Sequence, residues 1–85
     1  MIIEFDGQNR IIYIDNVIDT INIKSIYSRW KDWVLVDLNA MYFQAFACEN
    51  IDNEIQYYLT NDWKIRQKNN NQVLNIIGNL IIDKK

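Results

Sequence analysis

Histidine and proline are absent from this 85-residue chain, glycine occurs twice, and cysteine once. Without histidine, the Ser/His and Cys/His pairs that activate a nucleophile cannot form. A lone cysteine cannot complete a Cys/His zinc site, and Cys48 has no partner within the chain for a disulfide. Glycine at positions 7 and 78 alone rules out a glycine-rich phosphate loop. The 11 acidic residues are dispersed and specify no carboxylate pair for glycoside cleavage. Asp52-Asn53-Glu54 lacks the length and central glycine of an EF-hand loop and reads as a solvated acidic turn. The expectation is therefore a non-enzyme with no catalytic residue, no metal and no cofactor.

Charge narrows the partners further. Nine basic residues are scattered and the net charge is −2, which disfavours a phosphate-tracking patch and hence nucleic-acid binding. No apolar run approaches a bilayer-spanning length, and no membrane role is expected. The N-terminus, Met1-Ile2-Ile3-Glu4-Phe5-Asp6, has neither the basic region nor the long apolar core of a signal peptide. The single cysteine suits a reducing compartment. Set in the apolar run with Phe46 and Ala47 and without a basic neighbour, Cys48 reads as a buried, inert thiol.

Isoleucine and asparagine together supply about a third of the chain, far above ordinary usage. Both have A/T-rich codons, so a low-GC genome accounts for the bias. Its physical effect is to favour strands through β-branched isoleucine and turns through asparagine. One domain, residues 1–85, is all the length allows. Such a small chain buries only about 60% of the surface its unfolded form exposes. With disulfides and metals excluded, self-association or docking on a larger partner is the remaining support.

Local patterns give an α+β domain: six or seven short, mostly antiparallel strands in a meander or sandwich-like arrangement, with one amphipathic helix near residues 24–37. Ile2–Phe5 and Ile11–Ile14 flank Asp6-Gly7-Gln8-Asn9 as a hairpin, with Ile3 and Phe5 facing inward. A third strand is expected near Val17–Ile23. Next, Ile26, Trp30, Trp33 and Val34 recur at i, i+4, i+7 and i+8, one helical face, with Ser25 as N-cap. The run Tyr42–Ala47 and a polar loop, Glu49–Glu54, follow. Ile55–Leu59 and Trp63–Arg66 suggest a second hairpin across Thr60-Asn61-Asp62, and Asn69-Asn70-Asn71 another turn. A last strand is expected over residues 72–82, with Gly78 as a bulge or a close backbone approach.

That strand is apolar on both faces. Leu74, Ile76 and Leu80 join Ile26, Trp30, Trp33 and Trp63 as the expected core, while Val73, Ile77 and Ile81 project the other way as a candidate interface. Strands apolar on both sides are covered on both sides, here by a second copy or a partner, or else by the domain's own helix. Tyr57, Tyr58 and Trp63 are less constrained and leave open a carbohydrate-binding surface. A small acidic inhibitor of a basic protein is a further alternative.

Several segments, taken in order, resemble a module of bacteriophage virion structural proteins. They are Ile26-Tyr27-Ser28-Arg29-Trp30-Lys31-Asp32-Trp33-Val34, then Ala45-Phe46, then Tyr58-Leu59-Thr60-Asn61-Asp62-Trp63-Lys64-Ile65-Arg66, then Gly78-Asn79-Leu80. In that module a Tyr-Ser-x-Trp-Lys-x-Trp helix precedes an Ala-Phe pair, an Asn-x-Trp-x-Ile-Arg hairpin and a Gly-Asn-Leu strand. The similarity covers roughly residues 20 to 83. The module's glycines after Ala-Phe are replaced here by Glu49–Glu54, and its Pro and His after Ile-Arg by Gln67–Gln72, so a ligand role of the glycine loop does not carry over. The resemblance implies a virion component assembled in the bacterial host cytoplasm. First comes an auxiliary or decoration protein of the capsid, because the chain ends soon after its last strand with no shaft or tip. A tail or baseplate/fibre adaptor is the alternative. Partners would be the major capsid protein or a tail component, together with copies of itself in a homo-oligomer, a trimer being the first expectation.

Overall fold

A computed structural model describes residues 2–15, 20–37, 40, 42–70, 75–78 and 80–83, with only the backbone described at 20, 75, 77, 82 and 83. The strands are β1 (Ile2–Asp6), β2 (Ile11–Asp15), β3 (Thr20–Asn22), β4 (Phe46–Ile51), β5 (Glu54–Thr60), β6 (Lys64–Gln67), β7 (Asn75–Ile77) and β8 (Leu80–Asp83), with one helix, α1 (Ile23–Val36). The α+β class, β-rich with a single helix, is what the structure shows.

The N-terminal hairpin forms as its sequence requires. β1 and β2 pair antiparallel from Ile2↔Asp15 to Asp6↔Ile11. Asp6 closes the turn, its Oδ1 accepting from the Asn9 amide at 3.1 Å and its Oδ2 from Asn9 Nδ2 at 2.8 Å. Ile12 and Ile14 are fully buried on the inner face, and Ile3 and Phe5 pack beside them. A second antiparallel hairpin joins β4 to β5. Its turn is Asp52-Asn53, with φ of 50° and 67°. Two successive left-handed residues suit the twist of a two-residue hairpin, so most of the expected loop Glu49–Glu54 is strand.

Each hairpin takes a third strand from the C-terminal half in parallel. β6 lies beside β2, with Ile12↔Ile65 in register, and β8 beside β5, with Leu59↔Ile82. β3 and β7 form a separate parallel pair. The hairpin expected across Asn61-Asp62 is therefore not formed. The Trp63 amide closes a tight turn on the Thr60 carbonyl at 3.1 Å, and its side chain is buried against Trp33, ring centroids 6.2 Å apart. Burying that indole sends β6 to β2 instead of back along β5. A short polar connection is a local signal, and here a tertiary contact overrides it.

Helix α1 bridges the two three-stranded sheets. Its N-cap is Asn22, whose Oδ1 accepts from the Lys24 amide at 2.9 Å, replacing the expected Ser25. Asn22 ends β3 with extended dihedrals, so the chain passes from strand to helix without a linker, and Ile23 is already buried. Ile26 is fully buried, as expected. Trp30 and Trp33 are part-buried and not enclosed: they pack at the rim of the core, each touching a different sheet. Trp33 lies on Phe5 of β1, and Trp30 meets Phe46 of β4 edge-on at 6.0 Å. Tyr27 adds contacts to Phe46 at 6.1 Å and Tyr57 at 5.0 Å.

The expected final strand is two strands in different sheets. Gly78 separates them at φ 110°, and a Cβ built there would stand 2.7 Å from Ile23 Cγ2. Only glycine combines that dihedral with that approach. Ile76 and Leu80 are part-buried against the core on either side of the break, and Leu74 lies outside the described residues. The thiol of Cys48 is exposed, contrary to the expected burial. Among the described residues β4 is an edge strand, and its residues from Ala47 to Ile51 are exposed.

Candidate interaction surface

Of the three residues expected to form an interface, Ile81 is the one whose side chain is described, and it is 42% exposed. It projects from the outer face of β8, next to Tyr58 in the β5–β8 register. Val73 lies outside the described residues, and Ile77 is described only as backbone in β7, paired with Asn22. Because β7 and β8 belong to different sheets, the proposed stripe Val73, Ile77, Ile81 is not one continuous strand face.

Around Ile81 the outer face of β4-β5-β8 carries Ala47, Glu49, Gln56 and Tyr58. The Tyr58 hydroxyl donates to Glu49 Oε1 at 2.7 Å, and this bond to a carboxylate raises the phenol above its ordinary range. Tyr57, on the opposite face, is buried, and burial likewise raises its phenol and that of Tyr27. Trp63 is buried too, so of the three aromatic residues left open for sugar stacking only Tyr58 reaches the surface, tied to an acid.

A larger apolar exposure lies where the helix ends. Leu35 and Val36 are 82% and 81% exposed, and Tyr42, just after the helix, is 83% exposed. Leu35 and Val36 lie in the last turn of α1, and at 3.6 residues per turn Leu35 stands about 180° round the helix from Ile26, so helical phase turns it away from the sheets. A groove lined by Ile3, Glu4, Phe5, Arg29, Asp32, Trp33 and Val36 runs between the helix and β1. A second hollow, lined by Phe5, Asp6, Gly7, Gln8, Trp33, Asp37 and Phe43, shares its floor.

Ion pairs tie the sheet of β1, β2 and β6 together. Lys68 Nζ donates to Glu4 Oε1 at 2.9 Å, and that contact raises the amine above its ordinary value. Arg10 pairs with Asp62, whose carboxyl is lowered chiefly by the Thr60 hydroxyl and further by Arg10. Among the described residues no group of three or more His, Cys, Asp or Glu is placed to hold a metal ion. No helix among them is long and apolar enough to cross a membrane. Comparison with family models, with curated proteins and with solved structures finds no match to this chain.

Proposed function

We propose that this chain is a structural component of a bacteriophage particle, acting through protein–protein contacts, in the first instance as an auxiliary or decoration protein of the capsid. The observation that carries a contact role is the exposure of Leu35, Val36 and Tyr42, three large apolar side chains at one end of the helix in a domain whose core is filled by other residues. Single exposed apolar residues are ordinary, so the weight rests on three such side chains falling within residues 35–42 of the chain. The virion assignment rests on the ordered Tyr-Ser-Arg-Trp-Lys-Asp-Trp, Ala-Phe, Asn-Asp-Trp-Lys-Ile-Arg and Gly-Asn-Leu segments.

Mass spectrometry of purified particles tests the reading. A decoration protein is present in fixed ratio to the major capsid protein and rebinds shells from which it has been stripped. A tail or baseplate adaptor is present at a few copies and remains with separated tails. Absence from purified particles overturns both.

A further inference from the structure

The groove between the helix and β1 is built from a strand edge and a helix face. Its strand wall is Ile3, Glu4 and Phe5, three consecutive residues. Alternate residues of a strand point to opposite faces, so a groove that touches all three follows the edge of β1. The helix wall is Arg29, Asp32, Trp33 and Val36, spaced i, i+3, i+4 and i+7 on one face of α1. Trp33, stacked on Phe5, joins the two walls.

Among the described residues β1 is paired on one side only, with β2. Hydrogen-bond directions show what its other side presents. The Lys64 amide donates to the Arg10 carbonyl at 3.1 Å and the Lys68 amide to the Ile14 carbonyl at 2.9 Å. Main-chain groups alternate in direction along a strand, so Ile12 and Ile14 of β2 serve β6, while Ile11, Tyr13 and Asp15 serve β1. Their register partners are Asp6, Glu4 and Ile2, and the Ile2 amide does point to Asp15, meeting its Oδ1 at 3.1 Å. That leaves the N–H and C=O of Ile3 and Phe5 directed at the groove. The ion pair of Glu4 with Lys68 is made by side chains across the outer face and does not occupy these groups.

We propose that this groove takes an extended peptide segment of a partner protein, added as a strand along β1 and covered by α1. In this mode main-chain bonds hold the segment, here at Ile3 and Phe5, and sites for alternate side chains choose it. The helix wall sets that choice. No ion pair among the described residues engages Arg29 or Asp32, and Val36 is 81% exposed. An inward apolar side chain covers Val36 and the edge of Trp33. A carboxylate meets the Arg29 guanidinium, which can bind it through two parallel bonds, and a base suits Asp32. The chain's own exposed hairpin of β4 and β5 is a poor occupant. It carries Glu49, Asp52 and Glu54 with no base, and would bring these acids beside Glu4 and Asp6 of β1, where like charges destabilise a sheet. Recognition of a strand in this groove does not depend on the chain's belonging to a virus particle.

Amide exchange of the full chain, followed by NMR, tests whether the edge is open. The Ile3 and Phe5 amides are expected to exchange fast in the free protein, while that of Glu4, bonded to Tyr13, is protected. Protection of Ile3 and Phe5 without a ligand, whether constant or growing with concentration, means that the chain's own residues or a second copy fill the groove, and overturns the proposal.

A random heptapeptide library panned against the immobilised chain supplies the ligand probe. Enriched peptides are expected to alternate apolar residues, to carry an acid, and to abolish the fast exchange of Ile3 and Phe5 when titrated into the protein. Arg29→Glu, at an exposed position outside the core, is expected to leave the melting curve unchanged. It should weaken the acid-bearing peptides by about tenfold or more, the worth of a hydrogen bond to a charged group, and enrich peptides bearing a base in their place. The proposal fails if no peptide is enriched above a blank surface, if enriched peptides leave both amides in fast exchange, or if Arg29→Glu selects the same charge as wild type.

Discussion

Phe5 of β1 lies nearly flat on Trp33 of α1, ring centroids 5.2 Å apart and planes 15° from parallel. This stack fastens the N-terminal hairpin to the helix, and Trp63 meets the same indole edge-on. Truncating a large core aromatic residue to alanine costs roughly 3–5 kcal/mol. Trp33 and Phe5 are part-exposed, so each should fall at or below the lower end, about 3 kcal/mol. A double-mutant cycle over Phe5→Ala and Trp33→Ala should return a coupling of roughly 0.5–1.5 kcal/mol from denaturant melts. Strict additivity would mean that the rings do not stack in solution.

Gly78→Ala should be among the more damaging small substitutions. The new Cβ needs a dihedral that costs a side chain about 1–3 kcal/mol, and it points at the fully buried Ile23 from 2.7 Å. Gly7→Ala is the comparison. Its Cβ would stand 3.0 Å from the Phe43 ring without the backbone penalty, so it should cost less. Thermal melts of both variants check the order, and a neutral Gly78→Ala would contradict the separation of β7 from β8.

Asn22→Ala should destabilise the protein by about 1 kcal/mol, a typical loss for a helix cap. Ser25→Ala, inside the first turn, should change stability by no more than about 0.5 kcal/mol. Equal effects, or a larger one at Ser25, would move the helix start.

Ile81→Lys should leave the melting curve nearly unchanged, because the side chain is already exposed on the outer face of β8. If that face docks on a capsid or tail protein, the same variant should bind stripped particles less well in co-sedimentation. Unfolding by Ile81→Lys would instead mean that the side chain belongs to the domain's own core.

Acid should weaken the fold through Asp6 and Asp62. Hydrogen bonds from Asn9 hold the Asp6 carboxyl below its ordinary value, and the Thr60 hydroxyl, with Arg10 adding to it, does the same for Asp62. The folded protein thus binds fewer protons than the unfolded chain. Their contribution is complete above the unfolded carboxylate value, about 4, and is lost as pH falls through the lower folded value. Melting temperature followed from pH 6 to pH 2 should drop in that window, and less steeply in Asp6→Asn and Asp62→Asn.

The helix and the first hairpin were legible because their information is local. Ile26, Trp30 and Trp33 recur at helical spacing, and Asp6-Gly7-Gln8-Asn9 carries its own turn chemistry. The Asp52-Asn53 turn was present in the same terms, two residue types that tolerate left-handed backbone, but the surrounding polar residues masked two strands as a loop. Gly78 was readable as a break, although not as a change of sheet.

Tertiary structure alone decided which strands pair. Trp63 follows a connection that suits a hairpin, yet its burial against Trp33 sends β6 to lie parallel to β2, far away in sequence. Parallel pairing requires a partner reached through a long crossover, so no short window of sequence contains it. The exposure of Leu35 is local by contrast: at 3.6 residues per turn it stands about 180° round the helix from the buried Ile26, so helical phase alone turns it outward. Composition thus determined what the chain is made from, strands, turns and an amphipathic helix, because those are properties of residues and their spacing. Which strands become neighbours depends on which distant segments meet, and only the packing of the whole core determines that.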